Sequence, residues 1–176
     1  MAILARINHK IVMSLGDFKK MFTKGECVAI SNYLDERLVL FLKADSRDEA
    51  LDQLVRALEK AGKLKNPKVF HEAILEREKI VSTGIGLGVA IPHAKLQGYD
   101  DFFIAIGIQS KNGIEWNALD GAPVRLIFMI GGPENKQTEY LKILSHLTMA
   151  IKNEERRKKL LKTYDAKDVI GLFAGC

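Results

Sequence analysis

The chain has 176 residues, of which 47% are hydrophobic and 28% are charged, and its formal net charge at pH 7 is +5. This composition is typical of a soluble globular domain of ordinary size. Its two cysteines, Cys27 and Cys176, provide neither a disulfide framework nor a metal-ligand spacing, so a reducing cytoplasm is the expected location. No apolar run approaches the length of a membrane span, and the opening residues lack a signal-peptide stretch, so membrane insertion is not expected.

Residues 1–33 are predicted to form an N-terminal extension, and residues 34–176 are predicted to form the main domain. Apolar residues at helical spacing predict a helix in the extension, capped by Ser14. They are Leu15, Phe18, Met21 and Phe22. Such a helix is expected to pack on the domain or on a second copy in a homodimer. An arm for a partner or for nucleic acid is the weaker alternative because the basic residues are sparse, so no nucleic-acid partner is expected.

The next elements are a strand over residues 38–42 and a helix that begins at a capping box, where Ser46 precedes Glu49 by three positions. Gly62 is predicted to end that helix. Its inward face is predicted to be apolar throughout. The residues of that face are Ala50, Leu51, Leu54, Val55 and Leu58.

A second helix is predicted to start at Asn66-Pro67 and to run to about residue 78, with Phe70, Ala73 and Ile74 facing inward. Arg77 is the next residue on that inward face. An arginine at the edge of a core needs an anion or a carboxylate as its partner. Two interpretations remain open at this point: a surface arginine paired with Glu76 or Glu78, or an arginine that binds a phosphoryl group.

The stretch over residues 82–95 is the most informative part of the chain, because three glycines alternate before a short apolar run that ends in Pro92 and His93. The glycines, Gly84, Gly86 and Gly88, predict a loop whose N–H groups can turn toward an anion. Pro92 fixes its own backbone, so His93 is predicted to stand at a stiff strand end. A flexible donor-rich loop beside an imidazole suits the binding of a phosphoryl group; a surface histidine after an ordinary loop is the alternative.

Two further strands are predicted over residues 102–108 and 124–130, joined by a polar connection in which Trp116 is a packing residue. Three helices are predicted over residues 138–151, 154–164 and 166–173, the last capped by Asp165. The first is predicted to face the core with Leu141, Leu144, Leu147 and Ile151. In the second, the basic residues Arg156, Arg157, Lys158 and Lys159 are predicted to be mostly solvated. The expected fold class is α/β, a mixed sheet with helices on both faces.

The run from Ser82 to His93, Ser-Thr-Gly-Ile-Gly-Leu-Gly-Val-Ala-Ile-Pro-His, resembles the phosphorylation-site signature of the type-2 enzyme IIA domains of the bacterial phosphotransferase system. These are the fructose/mannitol IIA domains and their nitrogen-regulatory relatives. The resemblance extends over roughly residues 34–173, and residues 116–124 form a second, weaker match. It implies the α/β fold of that family, the phosphotransferase system (PTS) IIA type-2 fold.

The resemblance implies that His93 accepts a phosphoryl group, as a tele-phosphohistidine, from HPr or its nitrogen-branch counterpart. It also places Arg77 near the phosphate and implies a IIB protein or a regulatory target as the recipient. IIA domains often carry a second histidine where this chain has Tyr140, whose phenol can donate a hydrogen bond but cannot carry a positive charge. Thr83 and the glycines Gly84, Gly86 and Gly88 are predicted to bind the phosphate with Arg77.

Neither a metal nor a cofactor is expected, since phosphoryl relay between histidines requires neither. Two functions remain: relay to a sugar-specific IIB protein, and regulation by binding partners according to phosphorylation state. No fused IIB or sugar-binding domain is expected, which favours the nitrogen-regulatory branch. A nucleotide-binding domain is rejected because the glycine run lacks a P-loop ending and Pro92 blocks the helix that a dinucleotide fingerprint needs.

Overall fold

The computed structural model describes residues 29–175, in which a six-stranded mixed sheet lies between two layers of helices. The strands are β1 (Val39–Phe41), β2 (Gly84–Gly86), β3 (Val89–Ala90), β4 (His93–Leu96), β5 (Phe103–Ile108) and β6 (Leu126–Pro133). Their order is β1-β5-β6-β3-β2, and β4 also pairs with β6. The pairs β1/β5, β3/β6 and β4/β6 are parallel, whereas β5/β6 and β2/β3 are antiparallel.

Strands β3 and β4 follow one another along the same edge of β6. Ala90 pairs with Ile127 and His93 pairs with Ile130. Between them Pro92, which has no N–H, offers only its carbonyl, which accepts the N–H of Ile130 at 2.9 Å. His93 was predicted to stand at the end of a strand, but it is the first residue of β4. Pro92 interrupts the pairing with β6, and the pairing resumes at His93.

The helices begin where their capping residues predict. They are α1 (Arg47–Lys60), α2 (Pro67–Ile80), α3 (Gln137–Lys152), α4 (Glu154–Lys162) and α5 (Ala166–Gly171), with short 3-10 turns at Ile30–Tyr33 and Glu36–Leu38. The side chains of Ser46, Asn66 and Asp165 each accept an N–H of the first turn. Gly62, at φ +72°, follows the end of α1, as predicted.

The predicted fold class is confirmed, because each face of the sheet is covered by a separate hydrophobic core. Helices α1 and α2 cover one face, where all five predicted inward residues of α1 are buried together with Trp116. Helices α3, α4 and α5 cover the other face, around Phe128 and Phe173. Trp116 is fully buried, which confirms its predicted role in packing.

Helix α3 is rotated relative to its predicted face. Leu147 and Ile151 are buried as predicted, but Leu141 and Leu144 are only half-buried. Tyr140 and Ile143 occupy the inward positions instead. The aromatic ring of Tyr140 stacks on Phe102 in this core, with 6.0 Å between the ring centroids.

Arg156 and Arg157 of α4 were predicted to be mostly solvated, and the structure corrects this. Both are half-buried and donate to carbonyls at the end of α3, Arg156 to Ala150 at 2.7 Å and Arg157 to Ile151 at 2.6 Å. The last carbonyls of a helix lack intrahelical partners, so these guanidinium groups cap α3.

The predicted N-terminal helix, its Ser14 cap and His9 lie outside the described residues. Within residues 29–175, none of the helices combines the length and the apolar character that crossing a bilayer requires.

Candidate active site

The glycine run is a β-hairpin rather than the predicted open loop. Strand β2 pairs with β3, with a bulge between Gly84 and Gly86, and the turn places Gly86 at φ +90° and Gly88 at φ +71°. A Cβ on Gly84 would lie 2.8 Å from the Cα of Ala118, so the residue must be glycine for these segments to touch. The glycines are therefore needed for the turn and for the close approach of residues 116–120.

The polar groups of this hairpin are bonded within it and to the neighbouring loop. The Gly84 N–H donates to the Ser82 hydroxyl at 3.1 Å, and the Leu87 N–H donates to the Asp120 carboxylate at 2.9 Å. The Gly88 carbonyl accepts the N–H groups of Arg125 and Leu126. These bonds hold the hairpin in shape; the phosphate-binding role of Gly84, Gly86 and Gly88 stays a prediction.

The tautomer of His93 follows from its two hydrogen bonds. Its Nε2 lies 3.0 Å from the Nε of Arg77, and its Nδ1 lies 2.8 Å from the carbonyl oxygen of Ile91. A guanidinium can only donate, so Nε2 accepts and is unprotonated, and Nδ1 carries the proton that it donates to Ile91. The imidazole therefore presents Nε2 as its basic, nucleophilic nitrogen.

The pKa of His93 is lowered from its ordinary value of 6.5 to about 4. Burial of the ring is the largest cause, because it disfavours the charged imidazolium. The hydrogen bond to Ile91 opposes this effect, while the positive charges of Arg77 and Lys95 lower the pKa further. The ring is thus neutral at pH 7, in the form that can attack phosphorus.

The structure contradicts one of the two interpretations of Arg77, the pairing with Glu76 or Glu78, whereas the binding of a phosphoryl group stays a prediction. Its Nε donates to His93, and its Nη1 donates to the carbonyl of Val81 at 2.9 Å. The glutamates proposed as surface partners bind elsewhere, Glu76 to Lys79 and Glu78 to Thr83. Arg77 therefore belongs to the site of His93, where its fork can hold phosphate oxygens.

Glu78 is a site residue that the sequence reasoning missed. It is only 5% exposed, and its carboxylate accepts both the hydroxyl and the N–H of Thr83, the latter at 3.2 Å. The Thr83 hydroxyl in turn accepts the indole N–H of Trp116 at 3.3 Å. The Thr83 hydroxyl is thus already hydrogen-bonded to Glu78 and Trp116 at the base of the hairpin. To contact a phosphate as predicted, this hydroxyl would have to break its bond to Glu78.

Replacing Glu78 with alanine is expected to destabilise the fold by about 2 kcal/mol, since the buried N–H and hydroxyl of Thr83 lose their acceptor. Urea unfolding followed by circular dichroism measures the change. Glu76→Ala is the matched control: this exposed glutamate pairs with Lys79 and should change stability by less than about 0.5 kcal/mol. Equal stabilities for the two variants would contradict the role given to Glu78.

Tyr140 and Lys95 also lie near His93. The rings of Tyr140 and His93 are 5.7 Å apart, and the Lys95 ammonium lies 4.7 Å from the centre of the Tyr140 ring. Burial raises the pKa of the Tyr140 phenol, and the charge of Arg77 opposes that rise. The hydroxyl is buried and bonds to none of the described residues. The hydroxyl is thus free of partners among the described residues, and its predicted hydrogen bond to a phosphoryl oxygen stays a prediction.

The titration of His93 provides a direct test of the site. Because its pKa in the folded protein is about 4, below the ordinary 6.5, the ring should stay neutral down to about pH 5. The unfolded chain binds this proton at higher pH, so the contribution of His93 lowers stability as pH falls from 6.5 toward 4. Ring ¹⁵N NMR should show a proton on Nδ1 at pH 7, and a midpoint at 6.5 would contradict the desolvated site.

Comparisons with known proteins agree with this fold. The family model described as "Phosphoenolpyruvate-dependent sugar phosphotransferase system, EIIA 2" matches residues 32–175. The chain therefore belongs to the type-2 EIIA family, whose members are components of that phosphotransferase system.

Its relatives include proteins of both branches. The chain is 41% identical over 134 residues to the "PTS system fructose-specific EIIABC component" of Bacillus subtilis, covering 76% of this chain but only 21% of that protein. It is 32% identical to the "Nitrogen regulatory protein" of Bradyrhizobium diazoefficiens, covering 79% of this chain and 90% of that protein. The crystal structure of nitrogen regulatory protein IIA-Ntr from Neisseria meningitidis superposes with a TM-score of 0.75 at 30% identity, covering 82% and 98% of the two chains.

Proposed function

We propose that His93 accepts a phosphoryl group on Nε2 from the phosphohistidine of an HPr-like carrier protein and then passes it on or signals through it. One observation carries the proposal: Nε2 is unprotonated and hydrogen-bonded to Arg77, while Ile91 holds the proton on Nδ1. A nucleophile and a phosphate-binding cation therefore already meet at one atom. The family to which the chain belongs supports phosphoryl transfer as its chemistry.

The transfer balances without a separate base. The lone pair of Nε2 forms the new N–P bond as the N–P bond of the carrier breaks, and that electron pair returns to the carrier's nitrogen. The carrier's ring, protonated on its other nitrogen, leaves as neutral imidazole, and the ring of His93 becomes the phosphorylated imidazolium. The Ile91 carbonyl accepts from Nδ1 throughout and stabilises the positive charge that forms on the ring.

Arg77 has two tasks in this scheme. Before transfer its Nε donates to the lone pair that must attack, so it has to leave Nε2 when the carrier docks. A short shift brings the same planar fork onto the phosphoryl oxygens, where negative charge is spread in the loose transition state. The bond to Val81 holds the other side of the guanidinium near the site during that shift. Arg77 thus positions Nε2 before transfer and stabilises the phosphoryl group during it.

The remaining site residues are proposed to shape and complete the phosphate pocket. The unpartnered hydroxyl of Tyr140 is proposed to donate to a phosphoryl oxygen. Thr83, Gly84, Gly86 and Gly88 are proposed to contribute donors from the hairpin once the phosphoryl group is bound. Their present bonds to Glu78, Ser82 and each other are the ones that would be exchanged.

We further propose that the protein works in the cytoplasm in phosphorylation-dependent regulation, with a regulatory target protein as its partner. The relative named as a nitrogen regulatory protein, of which the chain covers 90%, supports this reading. The 41% identity to a fructose-specific component favours the second candidate, a sugar-transport IIA that passes phosphate to a IIB protein. Nucleic acid is not a proposed partner of either function, and the homodimer expected from the N-terminal extension stays a prediction.

The proposal is tested by incubating the protein with a phosphorylated HPr-like carrier. One acid-labile phosphoryl group should appear, peptide mapping should place it on His93, and ¹⁵N NMR of the ring should place it on Nε2. Phosphate on another residue, or none, would overturn the proposal. Transfer from the phosphorylated protein to purified IIB proteins then separates the two functions, because rapid transfer to a sugar-specific IIB rules out a purely regulatory role.

A further inference from the structure

A second cation lies beside His93 on the same strand. Lys95 is two residues after His93 in β4, and alternate residues of a strand share one face of the sheet. Its ammonium lies 4.7 Å above the centre of the Tyr140 ring and donates to the side-chain oxygen of Gln137 at the start of α3. Two contacts from α3, with Tyr140 and Gln137, thus hold the lysine head near the imidazole.

The position of Lys95 is unusual for a lysine that has no catalytic task. Burial lowers its pKa, with the charge of Glu134 opposing, so the ammonium is held partly out of water. Its nearest bonded partner is the neutral amide of Gln137 rather than a carboxylate. The aromatic face of Tyr140 and the charge of Glu134 stabilise it further. A cation with neutral partners is available to an anion that enters the site.

The charges around His93 leave one side in need of a cation. Arg77 approaches Nε2 from α2, whereas the side facing α3 is formed by Tyr140, which carries no charge. Lys95 is close enough for its charge to act on the imidazole of His93. A phosphoryl group on Nε2 would thus meet Arg77, and the positive charge of Lys95 would act on it as well.

We propose that Lys95 is a phosphate-stabilising residue, which exchanges Gln137 for a phosphoryl oxygen when His93 is phosphorylated. This inference rests on the proposed function of His93. An ammonium is a compact point charge on a flexible stem, so it can follow the phosphoryl group from the transition state to the phosphorylated protein. Lys95 then supplies the charge that Tyr140 cannot supply, and Gln137 holds it in place beforehand.

The test compares Lys95→Gln and Lys95→Met with Lys95→Arg, using Lys68→Gln as the matched control because Lys68 is an exposed lysine on α2. The rate of phosphorylation by the carrier should fall about tenfold or more in the first two variants and recover partly in the third. The pKa of His93, measured by NMR on the unphosphorylated protein, should rise in Lys95→Gln and stay unchanged in Lys68→Gln. Methionine keeps the apolar stem, so it separates loss of charge from loss of packing.

The outcomes distinguish this inference from the function on which it rests. If His93 is phosphorylated at the wild-type rate in folded Lys95→Gln and Lys95→Met, the role of Lys95 is refuted while that of His93 stands. If the wild-type protein takes up no phosphoryl group from the carrier, the proposed function itself falls, and the role of Lys95 with it. Circular dichroism melts of each variant identify any that is not folded, and the remaining variant then decides.

Discussion

Replacing His93 with alanine should abolish phosphorylation by the carrier protein, because no other group of the site offers a nucleophilic nitrogen in the same place. Arg77 donates a hydrogen bond to Nε2 of His93, and the Ile91 carbonyl holds the imidazole ring in place through Nδ1. Loss of the nucleophile removes the covalent step rather than slowing it. The measurement is the amount of acid-labile phosphate per chain after incubation with excess phosphorylated carrier, and it should fall to background.

His71→Ala and His146→Ala are the controls for that experiment. Both histidines are half-buried, and each has one ring nitrogen that bonds to none of the described residues. Neither lies in the hydrogen-bond network of His93, so both variants should be phosphorylated as the wild type is. Phosphate that persists in His93→Ala and disappears in one of the controls would move the site and overturn our assignment.

Replacing Arg77 with glutamine should lower the rate of phosphorylation about a hundredfold, the usual effect of removing one strong donor from a charged transition state. Glutamine cannot supply the planar pair of N–H donors or the charge of the guanidinium. The variant should also raise the pKa of His93, because the charge of Arg77 is one of the causes that lower it. Stopped-flow transfer kinetics and an NMR titration of the ring measure the two effects separately.

Arg77→Lys and Arg56→Gln complete the design. Lysine keeps the positive charge but lacks the paired N–H donors of the guanidinium, so the phosphorylation rate of Arg77→Lys should lie between those of the wild type and Arg77→Gln. Because the charge remains, the pKa of His93 should be lower in Arg77→Lys than in Arg77→Gln. Arg56 lies exposed on α1, where it pairs with Asp52 at 2.8 Å and has no contact with His93. The Arg56→Gln variant should therefore accept phosphate at the wild-type rate. A wild-type rate in Arg77→Gln would exclude the arginine from the transition state.

Local patterns in the chain were sufficient for the helices and for the central residues of the site. The caps at Ser46, Asn66 and Asp165 are short-range features, so they predict helix starts from neighbouring residues alone. The helical period also placed Arg77 at the edge of the core. The proline and the glycines directly before His93 made it a candidate, and the resemblance to the IIA family implied its role as phosphoryl acceptor.

Features that depend on distant segments became visible only in the folded chain. The alternating glycines predicted a loop, but pairing with β3 and the approach of residues 116–120 make them a hairpin. Glu78 had the appearance of a surface residue until Thr83 and Trp116 were brought against it. Lys95 had no assigned role until α3 placed Tyr140 and Gln137 beside it.

The helix boundaries and the candidate residues His93 and Arg77 could thus be named from residues close in the chain, since helix caps and helical periodicity act over one or two turns. The protonated nitrogen of His93, the partners of Arg77 and the contacts of Lys95 depend on backbone and side chains that only the sheet and its two helical layers bring together. Hydrogen bonds and desolvation act at distances of a few ångströms in space, whatever the separation along the chain.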